Sequence, residues 1–307
     1  MIQSILATLY HVIVPLCIPV IAGALLGRYR GLDTKPLLTL YLYVLSPAIL
    51  FTTLINAKIS TADIYRTLAF ALLNLVLLWL LAQLVSRLLR LGPAETSGMT
   101  LLSTLTNSAN YGLPLILLAF GQAGLDTASV FVVSQMVIAN TAGVYFAARS
   151  QFSGRNAVKS VLALPAIYAS LLAIGLRAAD LHLPYEVNQG IATIAAAYSP
   201  VVLTILGAQM VKVGMPGTER IRGKVFWGGL AVRMVLGPLV SAITLVLLGI
   251  SGTLFSVLFI LAAMPVAVNA VALADRFNAA PALISRCILW TTLSSFIILP
   301  LFIVWVR

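Results

Sequence analysis

Charged side chains are scarce in this sequence. Only 9% of the 307 residues are charged, whereas 61% are aliphatic, aromatic or cysteine. A water-soluble domain carries roughly 25% charged residues, so most of the surface of this molecule does not face water. Apolar runs of ~20 residues, the length that spans a bilayer as a helix, recur along the whole chain. The composition therefore predicts an all-α polytopic membrane protein with no separate soluble domain.

Residues that build enzyme and metal sites are also few. The two cysteines, Cys17 and Cys287, lie inside apolar runs and lack the spacing of metal ligands. No HExxH or GxSxG motif is present, and the eight acidic residues all fall in connectors or at the ends of apolar runs. We therefore expect no enzyme, no metal and no cofactor. Nucleic acid is not an expected partner, because the basic residues behind the net charge of +11 sit in short connectors.

Ten apolar segments have the length and composition of membrane spans, and the connectors between them are short. The predicted spans are Ile5–Gly27, Pro36–Ile55, Thr67–Leu89, Thr96–Phe120, Thr127–Ala148, Val158–Leu176, Asn188–Met210, Val225–Ile250, Thr253–Phe277 and Leu283–Val306. The chain is accordingly expected to form a single membrane domain over residues 1–307.

Basic residues are distributed unequally between the two sides of the predicted membrane. One side holds Arg28, Arg30, Lys35, Arg87, Arg90, Arg149, Arg155, Lys159, Lys212, Arg220, Arg222, Lys224, Arg276 and Arg286. The other side holds Lys58, Arg66, Arg177 and Arg307. Cytoplasmic connectors carry the excess of Lys and Arg in membrane proteins. The excess of fourteen basic residues over four therefore places the odd-numbered connectors in the cytoplasm and both termini outside. This placement agrees with an even number of spans.

The two halves of the chain resemble each other around one motif. The segments LSPAILFTTLINAK and YSPVVLTILGAQMVK are similar, and their Ser46-Pro47 and Ser199-Pro200 pairs lie 153 residues apart, half the chain. Five spans in each half invert the second half relative to the first. This predicts inverted repeats over about residues 1–150 and 155–307, a construction typical of secondary transporters.

Spans 4 and 9 each place proline and asparagine at mid-depth. The run TNSANYGLPL contains Gly112 and Pro114, and the run AAMPVAVNAVAL contains Pro265. Proline breaks a helix, and broken backbone within a membrane is tolerated only where it faces protein or a wet cavity. A half-helix that begins near Pro114 would present free N–H groups to an anion. A kink made only for packing, with the asparagines bonded to a neighbouring helix, is the alternative.

NSANYGLPL in span 4 and MPVAVNAVALADRF in span 9 resemble the auxin efflux carrier family, which includes plant PIN-type auxin exporters and bacterial malate or malonate permeases. LSPAILF in span 2 and QMVIANTAGVYF in span 5 fit as well, so the resemblance covers the whole chain. It implies ten helices in two inverted five-helix repeats, with helices 4 and 9 broken and crossing. Helices 1, 2, 6 and 7 would form a dimeric scaffold, and helices 3–5 and 8–10 a transport domain that moves as an elevator.

The resemblance also implies a binding site. The plant exporters read their substrate with an Asn five residues before the Gly of the span 4 motif, which matches Asn107, and with a span 5 Gln, which matches Gln135. The plant LPQG of span 9 is replaced by MPVA, and the long cytoplasmic loop of many plant members is absent. We therefore expect a small carboxylate other than auxin. The candidate substrate-binding residues are Asn107, Asn110, Gln135, Asn269, Ser46 and Arg233.

Arg233 lies within span 8, where an unpartnered charge is expensive. It is either a counter-charge for the substrate or a donor to the free carbonyls of a broken helix. A channel is disfavoured, because no span has polar residues at the helical spacing that would line a pore. The alternative function is a sodium-coupled bile-acid-type organic anion symporter. The expected location is a bacterial cell (inner) membrane, with lipid and a second copy of the chain, bound through the scaffold helices, as partners.

Overall fold

A computed structural model gives the conformation of residues 9–57, 59–148, 162–213 and 223–306, and all regular structure in these residues is helical. Seven helices there are long and apolar enough to cross a membrane. They cover Tyr10–Tyr29, Thr34–Asn56, Thr61–Leu88, Ser108–Ala148, Tyr185–Val211, Gly223–Leu247 and Pro281–Val306. Two shorter helices, Pro165–Ala178 and Gly252–Ala262, are also apolar. The fold therefore agrees with an all-α membrane protein of several spans.

The α-helices are α1 (Val14–Tyr29), α2 (Thr34–Leu40), α3 (Ser46–Asn56), α4 (Thr61–Leu88), α5 (Pro93–Thr104), α6 (Leu113–Ile138), α7 (Val144–Ala148), α8 (Pro165–Ala178), α9 (Tyr185–Ala196), α10 (Tyr198–Val213), α11 (Gly223–Ala231), α12 (Gly237–Leu247), α13 (Gly252–Ala262), α14 (Ala270–Phe277) and α15 (Pro281–Val306). Turns of π-helix cover Leu9–Ile13, Tyr41–Leu45, Ser108–Gly112, Ala139–Gly143 and Val232–Leu236.

Seven apolar helices of spanning length are fewer than the ten predicted spans, and the difference involves predicted spans 4, 6 and 9. Predicted span 6 is represented by the shorter helix Pro165–Ala178, and its first residues, 158–161, lie outside the described ranges. Predicted spans 4 and 9 are each interrupted, so neither is one continuous helix. The second piece of span 4 also runs on into span 5, giving one apolar stretch, Ser108–Ala148. Within it Gly121 has φ 65° and ψ −159°, a backbone conformation open to glycine that bends the stretch where the sequence placed a connector. The count of ten spans stays a prediction.

Four of these π-turns immediately precede an α-helix whose second residue is proline. Ser46 donates its amide to the Tyr41 carbonyl, five residues back, and Pro47 follows. The amide of Gly237 likewise donates to the carbonyl of Val232 ahead of Pro238. A proline ring clashes with the carbonyl four residues before it, so the wider turn lets the chain pass each proline without a full break. This is why several prolines of this sequence lie inside long helices.

Glycine permits the close approach of α1 and α10, the most extensively packed pair of helices among the described residues. A Cβ atom added to Gly23 would collide with the carbonyl oxygen of Thr204, and one added to Gly207 with that of Val20. Small residues allow backbones to touch in this way in membrane proteins, where van der Waals packing drives helix association. The two helices therefore form a tight pair beside the rest of the bundle.

Part of the predicted orientation rests on residues outside the described ranges. Both chain termini, Met1 and Arg307, are among them. So are the basic residues Lys58, Arg149, Arg155, Lys159, Arg220 and Arg222.

Candidate functional site

The two broken segments pair with each other. Helix α5 ends at Thr104, and α13 ends at Ala262. Between these helices and the next ones, Thr106 and Val266 form an antiparallel β-bridge. The amide of Asn107 donates to the carbonyl of Pro265 over 2.9 Å, and the amide of Ala267 donates to the carbonyl of Leu105 over 3.0 Å. Backbone groups that leave their helices are thus satisfied by the opposite break, as the interior of a membrane protein requires.

The first break lies earlier in the chain than the prolines suggest. Pro114 is near the start of α6, and the amide of Leu113 before it donates to the carbonyl of Ser108 in a π-turn. The half-helix therefore begins at Ser108 rather than near Pro114, and Gly112 lies in its first turns. Pro114 is tolerated inside this half-helix because the wider π-turn before it keeps its ring clear of the preceding carbonyls. Pro265, in contrast, lies within the second break itself.

A cavity of about 380 Å³ lies beside the paired breaks and brings together five of the six predicted substrate-binding residues. Its lining includes Ser46, Asn107, Asn110, Gln135 and Asn269. Small-molecule sites commonly measure roughly 300 to 1,000 Å³, so the volume suits a compact organic molecule. The cavity unites side chains from both breaks with side chains of α3 and α6.

Several polar atoms of this cavity have no protein partner among the described residues. Asn107 and Asn110 are buried, with exposed fractions of 3% and 5%, and the Asn107 Nδ2 and Asn110 Oδ1 atoms make no hydrogen bond. The hydroxyl of Thr106 is buried and unpaired as well. A buried polar group without a partner costs roughly 1 to 3 kcal/mol. Such groups cluster where a ligand or water completes the bonding, so the cavity is built for a polar occupant.

The N-terminus of a half-helix lies at the same cavity. The carbonyl of Asn107 accepts from the amides of Tyr111 and Gly112, at 3.2 and 3.0 Å. The amides of Ser108, Ala109 and Asn110 precede this first helical bond, and all three residues line the cavity. The first amides of a helix have no intrahelical acceptor, and the positive end of the helix dipole attracts anions. The site therefore combines amide donors with a favourable field for negative charge.

Arg233, the sixth predicted binding residue, does not line this cavity. It is fully buried, and its guanidinium donates to three backbone carbonyls. Nε bonds the Met264 carbonyl over 2.8 Å, Nη1 bonds the Ser103 carbonyl over 2.9 Å, and Nη2 bonds the Ala262 carbonyl. These acceptors stand at or just past the C-terminal ends of α5 and α13, where carbonyls lack helical partners. The geometry favours the structural one of the two roles that the sequence left open.

Sequence reasoning missed other residues of the cavity. Arg276 supplies the sole charged side chain among the described residues that line it. It lies seven residues, or two helical turns, after Asn269, which caps α14, so both lie on the same side of that helix, a spacing that could have indicated Arg276. Tyr41 and Asn140 also line the cavity. Tyr198 contacts a residue of the cavity wall, since its hydroxyl donates to the Ala109 carbonyl over 3.0 Å.

Comparisons with known proteins identify a family for this chain. The family model described as membrane transport protein matches residues 9–153 and 152–303. A protein of Methanothermobacter thermautotrophicus described as an uncharacterized transporter is 26% identical over 281 residues, 90% of each chain. Another uncharacterized transporter, from Methanocaldococcus jannaschii, is 23% identical over 290 residues, again 90% of each chain. The chain therefore belongs to the membrane transport protein family, the family of the auxin efflux carriers that the span 4 and span 9 motifs indicated.

Proposed function

We propose that this chain is a secondary transporter that carries a small carboxylate across the membrane by elevator-type alternating access. The observation that carries the proposal is the cavity at the paired breaks, where the unpaired donor Asn107 Nδ2 lies at the N-terminus of a half-helix. A carboxylate offers only acceptors, so it bonds amide N–H groups and is drawn to the positive helix end. Family membership supplies the membrane transport activity.

The walls of the cavity support a sliding mechanism. Ser46 and Ala166 come from α3 and α8, which correspond to predicted scaffold helices 2 and 6. Asn107, Gln135 and Asn269 come from the segments of predicted transport helices 4, 5 and 9. A site at such a boundary opens to the other side when one group of helices moves along the other. We propose that the asparagines travel with the substrate while the Ser46 side stays fixed.

We propose ten helices in two inverted repeats as the architecture for this motion. The 153-residue offset of the Ser-Pro pairs and the interruption of both predicted spans 4 and 9 support it. The proposal includes a homodimer through scaffold helices 1, 2, 6 and 7, which analytical ultracentrifugation in detergent tests. A sedimenting mass of one chain would contradict the dimer.

We further propose a bacterial inner-membrane location with Arg276 on the cytoplasmic side and both termini outside. The excess of basic residues on that side supports this orientation. The measurement is labelling of intact cells by an impermeant thiol reagent, in a chain whose Cys17 and Cys287 are replaced by serine. A cysteine at Ser251 should react and one at Ala94 should not. The opposite pattern overturns the orientation.

Substitution of Asn107 tests the site. Asn107→Ala removes an amide donor to a charged carboxylate, a bond worth roughly 1.5 to 3 kcal/mol, so affinity should fall about ten-fold or more. The measurement is isothermal titration of purified protein with a panel of small mono- and dicarboxylates, followed by flux in proteoliposomes. Asn56→Ala is the matched control, because Asn56 lies outside the cavity and bonds only the Thr52 carbonyl over 2.9 Å. Unchanged affinity in a monodisperse Asn107→Ala protein would place the substrate elsewhere.

The sodium-coupled bile-acid-type symporter is not favoured by these comparisons, which match the membrane transport protein family. No observation on the site itself supports this alternative over the leading proposal.

A further inference from the structure

A second large cavity lies away from the paired breaks, between α3, α4, α6 and α8. Its volume is about 750 Å³, and we call it the lateral groove. One face of each long helix lines it: Ile64, Leu68 and Leu72 on α4, and Val130, Val133 and Val137 on α6. Helix α8 packs mainly on α3 and only lightly on α6. This unequal packing leaves the gap.

The two serines that line the lateral groove offer no free hydroxyl proton to an occupant. Ser134 donates its hydroxyl to the Val130 carbonyl over 2.8 Å, and Ser170 donates to the Ala166 carbonyl over 2.7 Å. Both hydroxyl protons are therefore used within their own helices. Apolar cavities hold water poorly, and a hydrophilic anion gains nothing from such walls. These walls suit a hydrocarbon chain.

The groove opens on the surface that faces lipid rather than water. Leu72 and Ile174 line it and are 62% and 50% exposed. Exposed aliphatic side chains on spanning helices lie in hydrocarbon when the protein is in a bilayer. Along α4 the groove runs from Thr61 to Leu72, eleven residues or ~16 Å. That length matches one leaflet, about half of the ~30 Å hydrocarbon core.

Among the described residues that line the groove, Arg177 is the one cation, and it marks one end. Arg177 lies in the last turn of α8, and its Nη2 donates to the carbonyl of Ile59 over 3.1 Å, which holds the guanidinium across the groove mouth. Arg66 lies nearby in sequence at the same end of α4, but it pairs with Asp63 at 3.7 Å. Arginine binds phosphate through several N–H donors at once. The mouth therefore suits a lipid with an anionic head group.

We propose that the lateral groove binds one anionic phospholipid, with an acyl chain along α4 and α6 and the phosphate at Arg177. The site lies between the helices assigned above to the scaffold and to the transport domain, so the lipid fills the boundary between them. The proposal does not depend on the carboxylate site, because none of the lining residues belongs to that cavity.

Native mass spectrometry of the purified full chain tests the site with dioleoyl phosphatidylglycerol and dioleoyl phosphatidylcholine, which share acyl chains. One phosphatidylglycerol should bind at least five-fold more tightly than phosphatidylcholine. Arg177→Gln should remove that preference, because one arginine near the membrane surface contributes about five-fold to the binding of an anionic lipid. Arg66→Gln, the matched control, should keep it. Glycerol phosphate, the soluble head group, should neither bind nor compete.

A second pair of variants tests the apolar walls. Ile174→Trp fills the groove and should abolish retention of phosphatidylglycerol. Ile243→Trp places the same change on a surface of α12 that is 56% exposed and outside the groove, and it should have no effect. Equal binding of the two lipids, retention by Ile174→Trp, or competition by glycerol phosphate overturns the proposal. These readouts do not involve carboxylate flux, so they remain informative if the proposed transport function fails.

Discussion

At the scale of single residues, the guanidinium of Arg233 donates its hydrogen bonds to backbone carbonyls. Its guanidinium reaches Ser103, Ala262 and Met264, which belong to two segments far apart in sequence. A charge inside a membrane protein is stable only when its donors are satisfied, and carbonyls at helix ends carry the negative pole of the helix dipole. Arg233 therefore joins the ends of α5 and α13 directly behind the paired breaks.

Replacement of Arg233 should destabilise the fold. Arg233→Met leaves three buried carbonyls without donors, and at about 1 kcal/mol for each lost bond the loss should be roughly 2 to 4 kcal/mol. Arg233→Lys should recover only part of it, because an ammonium cannot match the planar guanidinium. The measurement is the thermal unfolding midpoint in detergent. A variant Arg233→Met that is as stable as wild type yet fails to bind carboxylate would restore the counter-charge role.

Arg276 should set the electrostatics of the candidate binding site. It is the charged residue at the exposed end of the cavity, so Arg276→Gln should weaken carboxylate binding about five-fold at low salt. Exposed charges are screened at high salt, so the difference should shrink near 1 M. Titration calorimetry at both salt concentrations measures it. Arg286→Gln is the control, because Arg286 is an exposed arginine of α15 outside the cavity. An equal loss of affinity in this variant would mean that the net charge of the protein, and not the position of Arg276, weakens binding.

At the scale of helices, the breaks were predictable but their exact positions were not. Asparagine and proline in TNSANYGLPL and AAMPVAVNAVAL indicated interruption at mid-depth. The first break nevertheless falls at residues 105–107, because a π-turn carries the chain past Pro114. Pairing of Thr106 with Val266 selects those residues, and a contact across 160 positions leaves no local signal.

The close pair α1 and α10 predicts the effect of adding volume at a glycine. Gly207→Ala forces the backbones apart, since its Cβ atom would collide with the Val20 carbonyl oxygen. The thermal midpoint in detergent should drop by several degrees. Gly175→Ala is the matched control in α8, where nothing lies within 4 Å; it should be neutral or stabilising, because alanine has the better helix propensity. Equal midpoints for both variants would mean that this packing contributes little.

At the scale of the whole molecule, composition was enough to predict an all-helical membrane protein, and the motifs were enough to predict the family. The cavity was predictable only as a set of candidate residues. Asn107 and Asn269 belong to different halves of the chain, and Gln135 to a third segment, so tertiary packing decides whether they meet. Arg233 shows the same limit, because its acceptors are backbone atoms that no side-chain motif encodes.

The proposed transport should follow voltage and ignore sodium. No acidic residue lies near the middle of a predicted span, and moving one charge across 100 mV is worth ~2.3 kcal/mol. An inside-negative potential therefore drives anion export or exchange without a coupling ion. Carboxylate flux in proteoliposomes should respond to an imposed potassium-diffusion potential and not to a sodium gradient. Flux that requires the sodium gradient would instead support the bile-acid-type symporter.

The three carbonyls around Arg233 also impose an order on biosynthesis. Ser103 is made before Arg233, but Ala262 and Met264 follow it by 29 and 31 residues. At about 5 to 20 residues per second, the second and third acceptors are made roughly 1.5 to 6 s after the arginine. Through that interval only the Ser103 carbonyl, one of the three acceptors, is present in the nascent chain. Synthesis of the end of α13 and of Met264 is thus the step that completes the hydrogen bonds of the guanidinium.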